Sequence, residues 1–325
     1  MKAALKSLVL RGLTVGPVYP LLRGYALRER PATVLCYHTL RPDDHQLDAW
    51  VALRKSDFLA QVDMLRESYD IVSLDDALAP APKGARPRVA LTFDDGEIGL
   101  FDHLLPIVNA MDIPVTIYVA TAHIEAGTPF WFDRVMNALQ AAGKVQITLD
   151  GLGAWQIGPE RGKNRWAQIG AVLEALKTAT SQDRDALADE IVSQSGAVVD
   201  SFLPLQPMSL PQLKELASDS RITIGAHSHG HELLDQLSIP EAKASIVRSR
   251  NLLAAWTGQD IRHFAYPNGN YTPELMNALD ELGFVSATIL EDRLVQSDAP
   301  AHAMPRIAVG RYDTLARLKL RLVGV

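Results

Sequence analysis

Along the chain, short runs that are apolar almost throughout alternate with longer stretches whose apolar residues recur every three or four positions. Val34-Leu-Cys-Tyr-His38, Ile71-Val-Ser73, Val89-Ala-Leu-Thr-Phe93, Val115 to Ala120, 221–226, 264–266, Phe284 to Ile289 and Ile307-Ala-Val309 have the length and β-branched content of buried strands. Between them the helical period marks a helix opened by Ser56-Asp57, with Phe58, Val62 and Leu65 on one face. Further helices run over Ile98 to Met111, Glu241 to Trp256 and Thr272 to Leu282. Ser209-Leu-Pro-Gln is a helix start, with serine as cap and proline in the first turn. Strands buried on both faces and joined by helices imply a parallel sheet. About seven strand–helix units, without an internal repeat, predict an α/β fold and specifically a parallel barrel.

One stretch breaks the alternation. Phe130-Trp-Phe-Asp-Arg134 leads an amphipathic helix to about Ala142, a hairpin is expected over Val145 to Ile157, and helices follow near 165–179 and 182–194. Residues 125–206 therefore read as a mainly helical insertion, packed over the open face or side of a barrel that spans 31–325. Thr39 to Leu53 is polar and mixed, a loop placed to overhang the strand ends.

The chemistry gathers where strands stop. Val89 to Phe93 ends in Asp94-Asp95-Gly96. Neighbours on an extended strand point to opposite faces, so both carboxylates reach one cavity only if the strand ends there, and Gly96 frees the backbone for that turn. A second strand ends in His227-Ser-His-Gly-His231. His227 and His231 are four apart, and one helical turn would set both imidazoles on the same side. Two imidazoles and a carboxylate form a three-ligand facial site for zinc or its first-row neighbours.

Thr92-Phe-Asp-Asp-Gly96 together with His227-Ser-x-x-His231 resembles the polysaccharide deacetylase family (NodB homology, carbohydrate esterase family 4), over roughly residues 33–123 and 207–310. The resemblance implies a distorted (β/α)7 barrel, with Asp94 as general base and Asp95, His227 and His231 as metal ligands. Zinc is the first choice, with cobalt, nickel or iron also acceptable to such a site. Phe264-Ala-Tyr-Pro-Asn-Gly269 is similar to a third family motif in a Tyr-Pro-x-Gly variant, which makes the Tyr266 N–H the expected oxyanion donor. The arginine usual there is unmatched, and Arg306 is the cation that could instead hold Asp94 ionised. The late Leu-x-His of the family is also unmatched, with His302 nearby in a loop. Members of the biofilm-polysaccharide branch carry the acid in an early Tyr-His pair, which Tyr37-His38 matches, so His38 is the expected general acid. The implied reaction is removal of an N-acetyl group from an amino sugar of a bacterial surface polysaccharide or its membrane-linked precursor. The alternatives are O-acetyl ester or N-formyl hydrolysis at the same site, or a sugar-binding pseudoenzyme. The aromatic cluster at 130–132 would either stack on sugar rings or anchor its helix to the core.

A net charge of −6 and a pI near 5.8 argue against a nucleic-acid partner. Cys36 is the one cysteine, which excludes a disulfide within the chain. Residues 1–30 form a basic lead-in carrying Lys2, Lys6, Arg11 and Arg23, interrupted by Arg11, Gly16 and Pro17 and far short of the ~20 apolar residues of a membrane span. The C-terminal run from Leu315 is similarly basic and apolar. The expectation is a cytoplasmic protein whose termini pack on the body or touch an anionic inner-membrane leaflet. Of the other histidines, His229 is expected beside the ligands or exposed, and His103 and His263 in structural roles.

Overall fold

The computed structural model describes residue 14 and residues 18–26, 33–80, 85–198, 204–296 and 298–324. Its centre is a parallel sheet that closes on itself. The strands are β1 (Thr33–Tyr37), β4 (Asp70–Ile71), β5 (Arg88–Phe93), β6 (Val115–Val119), β9 (Ile222–Ala226), β10 (His263–Ala265), β11 (Ser286–Ile289), β12 (Met304–Pro305) and β13 (Ile307–Ala308), in the order β12-β11-β10-β9-β6-β5-β1-β13 with β4 beside β5. β12 and β13 are two halves of one stave, interrupted only by Arg306. The first half pairs with β11 and the second with β1, and this closes the ring. The expected distorted (β/α)7 barrel is therefore present, with β4 as a short extra strand.

The helices follow the sequence pattern, with local departures that have local causes. α1 (Val18–Ala26) is the described part of the lead-in; α2 (Lys55–Ser68) follows β3 (Ala52–Arg54), which pairs with β2 (Thr39–Arg41) in a separate two-stranded sheet. α2 starts ahead of Ser56, because the Ser56 N–H donates to the Asp43 carboxylate at 2.9 Å and the overhanging loop supplies the cap. α3 (Leu74–Leu78) is capped by Ser73. The Ile98–Met111 stretch contains a π turn at Leu100–Leu104 before α4 (Leu105–Met111). Pro106 has no N–H to give, and the Leu105 N–H reaches back five residues to Leu100.

Between β6 and β9 lie α5 (Thr121–Ala126), α6 (Trp131–Ala141), the antiparallel hairpin of β7 (Val145–Leu149) and β8 (Gly153–Ile157), α7 (Lys163–Leu176) and α8 (Ser181–Ser195). These elements bury their own apolar cluster, including Val135, Leu139, Ile169, Val172 and Ile191, apart from the barrel core around Leu91, Ile117, Ile224 and Phe264. Leu47, Ala49 and Ala52 of the overhanging loop join the insertion cluster and so tie it to the barrel. A second tie is reciprocal: Asn137 Nδ2 donates to Leu205 O and the Leu205 N–H donates to Asn137 Oδ1, each at 2.8 Å. After α9 (Leu210–Ala217), with its Ser209–Gln212 capping box, the alternation resumes through α10 (Ile239–Thr257), α11 (Pro273–Glu281) and α12 (Leu315–Arg321).

Candidate active site

Asp94 and Asp95 follow β5 and part at once. Asp94 N–H continues the ladder to Tyr37 O, while Asp95 turns to a φ of 76° and Gly96 to 84°. A left-handed conformation is costly for aspartate, of order 1–3 kcal/mol, and persists only where the surroundings impose it. The turn sends the two carboxylates to different partners.

Asp94 is buried against Arg306, the residue at the break between β12 and β13. Nη1 donates to Oδ1 at 2.6 Å and Nη2 to Oδ2 at 2.7 Å, while Nη1 also reaches Thr92 Oγ1 at 3.1 Å. The guanidinium lies 5.3 Å from the centre of the Tyr118 ring on β6. Burial, the largest single influence, would raise the Asp94 carboxyl, but the Arg306 charge and hydrogen bonds, joined by the His227 and His38 charges, together outweigh it and hold Asp94 below the usual carboxylate range. Asp94 is ionised at neutral pH. The Cys36 thiol donates to the same carboxylate at 3.4 Å, and burial pushes that thiol well up, so it stays protonated.

Asp95 faces the histidines. Its Oδ1 lies 3.2 Å from His231 Nε2 and 3.5 Å from His227 Nε2. His227 Nδ1 donates to Ala265 O at 2.7 Å, which leaves Nε2 with its lone pair free for a cation. Asp95 Oδ1 is buried yet makes no hydrogen bond, although two ring nitrogens stand close to it. Three donor atoms that converge without bonding one another fit a metal ion, and an imidazole–imidazole–carboxylate set suits a first-row divalent cation.

The expected helical turn from His227 to His231 is not how the ligands meet. Residues 227–233 are irregular, and Ser228 and His231 take left-handed φ values of 59° and 55°. Glu232 holds this loop: its carboxylate accepts from Ser228 Oγ at 2.7 Å, from the Gly230 N–H at 3.1 Å and from Ser245 Oγ of α10. Four of the five non-glycine residues with positive φ among the described residues are Asp95, Ser228, His231 and Asn268, so backbone strain concentrates at this site.

His38 ends β1 beside the carboxylate pair, with a ring nitrogen within 4.8 Å of both Asp94 and Cys36 ligand atoms, and its ring meets Trp50 edge-on at 5.6 Å. Its Nδ1 is buried without a hydrogen-bond partner. Burial lowers its pKa, opposed by the charges of Asp95 and Asp94.

Tyr266 requires a correction. Its N–H donates to Thr288 O at 3.1 Å in the ladder and its hydroxyl to His302 O at 3.0 Å, so neither is free for an oxyanion. Asn268, two residues on with a φ of 58°, is the residue of that turn that lines the cavity. His302 is also outside the site, its Nε2 bonded to Phe284 O. His229 bonds Thr121 Oγ1, His263 bonds Ser286 Oγ, and His45 contacts Arg311.

The cavity over these groups has a volume of about 250 Å³. His38, Asp94, Asp95, His227 and His231 form one side, and residues of α6 and α7 form the other. Phe130, 1% exposed, stacks on Phe132 at 4.8 Å, and both rings meet His231 edge-on, so this pair anchors α6 against a metal-ligand candidate. Trp131 and Phe132 also reach the cavity.

The sequence profile described as polysaccharide deacetylase matches residues 81–287, more than half of the chain. The chain belongs to the polysaccharide deacetylase family. That family is metal-dependent and acts on carbohydrate, and the site residues of this deacetylase-family chain include a group able to hold a metal. Comparison with curated proteins found no match. Among solved structures, the Streptococcus pyogenes deacetylase PplD in complex with acetate is 17% identical with a TM-score of 0.59, over 90% of this chain and 97% of that one. IcaB from Ammonifex degensii is 18% identical with a TM-score of 0.55, over 90% and 97%. A de-N-acetylase from Aggregatibacter actinomycetemcomitans is 13% identical with a TM-score of 0.56, over 89% and 99%. At these identities the three establish a shared fold.

Proposed function

We propose that this family member is a metal-dependent hydrolase that removes the N-acetyl group from an amino sugar of a bacterial surface polysaccharide or of its membrane-linked precursor. The observation that carries the reading is the division of labour between adjacent carboxylates, Asp94 against Arg306 and Asp95 against two imidazoles. Asp95, His227 and His231 would hold a divalent cation, most simply zinc, which supplies Lewis-acid activation of the acyl group and of water. Asp94, kept ionised by Arg306, accepts the proton of the attacking water. His38, on the same side of the cavity, returns a proton to the nitrogen as the carbon–nitrogen bond breaks, leaving acetate and a free amine. The family and the IcaB-like fold support a polysaccharide-derived substrate.

The test is product analysis by mass spectrometry after the zinc-loaded protein meets matched N-acetyl, N-formyl and O-acetyl sugars. Free amine and acetate from the N-acetyl sugar is the expected result. Turnover of only the formyl or O-acetyl sugar would move the activity to that alternative, and binding without turnover of any would favour a sugar-binding pseudoenzyme.

Contact with an anionic leaflet is proposed for the N-terminal lead-in. α1 turns Val18, Leu21 and Tyr25 to solvent, beside Arg23, while its Tyr19 packs near Val323 and under Lys319 of α12. Apart from Thr14, the rest of the lead-in lies outside the described residues. Among the described residues no helix is long and apolar enough to cross a membrane. Cosedimentation with anionic vesicles, lost on removing residues 1–26, is the expected outcome; no cosedimentation of the full chain would refute it.

A further inference from the structure

We propose that one face of α7 is the sugar-recognition wall of this cavity, holding a single N-acetylated ring over Gly170, and this rests on the deacetylase reading above. Trp166, Gly170, Glu174 and Lys177 follow one another at intervals of four, four and three, so they form a continuous stripe along one helix face, and all four line the cavity. The stripe belongs to the insertion, whereas the groups assigned to chemistry belong to the barrel.

Gly170 is the informative member. A glycine inside a helix is less favourable than alanine, because it loses more backbone freedom on folding. A Cβ at Gly170 would meet nothing within 4 Å, so no neighbour requires the glycine. What the missing side chain does is deepen the cavity between Trp166 and the charged end of the stripe. At that end Lys177 Nζ donates at 2.7 Å both to Glu174 Oε1 and to Asn268 Oδ1, which joins the insertion to the turn after β10. A flat indole beside a gap, followed by paired donors and acceptors, matches a pyranose, whose C–H face is apolar and whose rim is hydroxylated. Three of the five tryptophans of the chain, Trp50, Trp131 and Trp166, face this one cavity.

Size sets the number of rings. The volume of about 250 Å³ falls below the roughly 300–1,000 Å³ of drug-sized ligand sites, which leaves room for one sugar. The preferred substrate is therefore a sugar presented singly or at a chain end.

Tryptophan fluorescence of the metal-free protein, titrated with N-acetylglucosamine, reads the wall without turnover. Saturable quenching is expected in the wild type and in Gly170→Ala, and its loss in Gly170→Leu. With zinc bound, Gly170→Leu should raise KM about tenfold with kcat little changed, at unaltered metal content and melting temperature. On an N-acetylated tetramer, acetate should leave a terminal residue. Quenching and KM unchanged in Gly170→Leu would overturn the wall, and deacetylation at internal residues would overturn the single-ring limit. If the wild type releases no acetate from any sugar, the deacetylase reading fails by itself. The titration still decides the wall: quenching abolished by Gly170→Leu supports it, and no quenching in the wild type refutes it.

Discussion

Replacing Arg306 with methionine isolates the feature on which the base assignment depends. The guanidinium is fully buried, its two nitrogens bond the two oxygens of Asp94 at 2.6 and 2.7 Å, and the Asp94 side chain is 2% exposed. Removing one partner of such a pair leaves an uncompensated buried charge and costs about 3–5 kcal/mol. For a chain of this size that lowers the melting midpoint by roughly 4–7 °C. The pH dependence has a definite sign. In the wild type Asp94 is held below its ordinary value, so its contribution to stability is present above the usual carboxylate range and is lost as pH falls through the lowered value. In Arg306→Met the strongest influence that lowers the carboxyl is gone while burial, which raises it, remains against only the His227 and His38 charges, so the penalty is greatest near neutral pH and shrinks on acidification. Adding Asp94→Asn removes the stranded charge and should recover most of the lost stability. Thermal or urea unfolding of the metal-free wild type, both single variants and the double variant, at neutral and acidic pH, measures all of this. Equal stability of Arg306→Met and wild type at neutral pH, or a double variant no better than Arg306→Met, would refute the reasoning.

Other consequences concern the remaining groups. His38→Ala should lower kcat by about 10²–10⁴ with bound zinc unchanged; loss of zinc in that variant would make His38 a ligand instead. Glu232→Gln should weaken zinc affinity by about 10–100-fold in a chelator competition, because the loop carrying His227 and His231 loses the anion that gathers its donors. Unaltered affinity would remove Glu232 from that role. Trp155→Phe, on the insertion hairpin away from the cavity, should leave the N-acetylglucosamine titration intact, and a loss there would show that the fluorescence signal does not come from the cavity wall.

Much of this architecture was legible in the residue pattern. Apolar runs such as Val89 to Phe93 and Val115 to Val119 are buried on both faces in a parallel barrel, and that is why they carry no polar alternation. Asp94-Asp95-Gly96 was readable as a strand end because period-two geometry forbids two adjacent carboxylates one cavity otherwise. The convergence of His227 and His231 was legible, but its route was not: serine and histidine rarely adopt positive φ, and nothing in their order announces it. The Tyr266 assignment failed because an N–H near a strand end can join the ladder or leave it, and the pairing with Thr288 follows from the register of β10 on β11. Arg306 was recognisable as a cation near the site, but its bidentate geometry depends on a barrel closure between segments far apart in sequence. The insertion was visible as broken alternation, whereas its face toward the cavity emerges only when α7 is packed.

Zinc content and acetate release, measured side by side for wild type, Asp94→Asn and Asp95→Asn, test the central claim most directly. The account predicts about one zinc and acetate release in the wild type, zinc retained without release in Asp94→Asn, and both lost in Asp95→Asn. Zinc retained in Asp95→Asn, or acetate release surviving in Asp94→Asn, would contradict the division of roles between the two carboxylates.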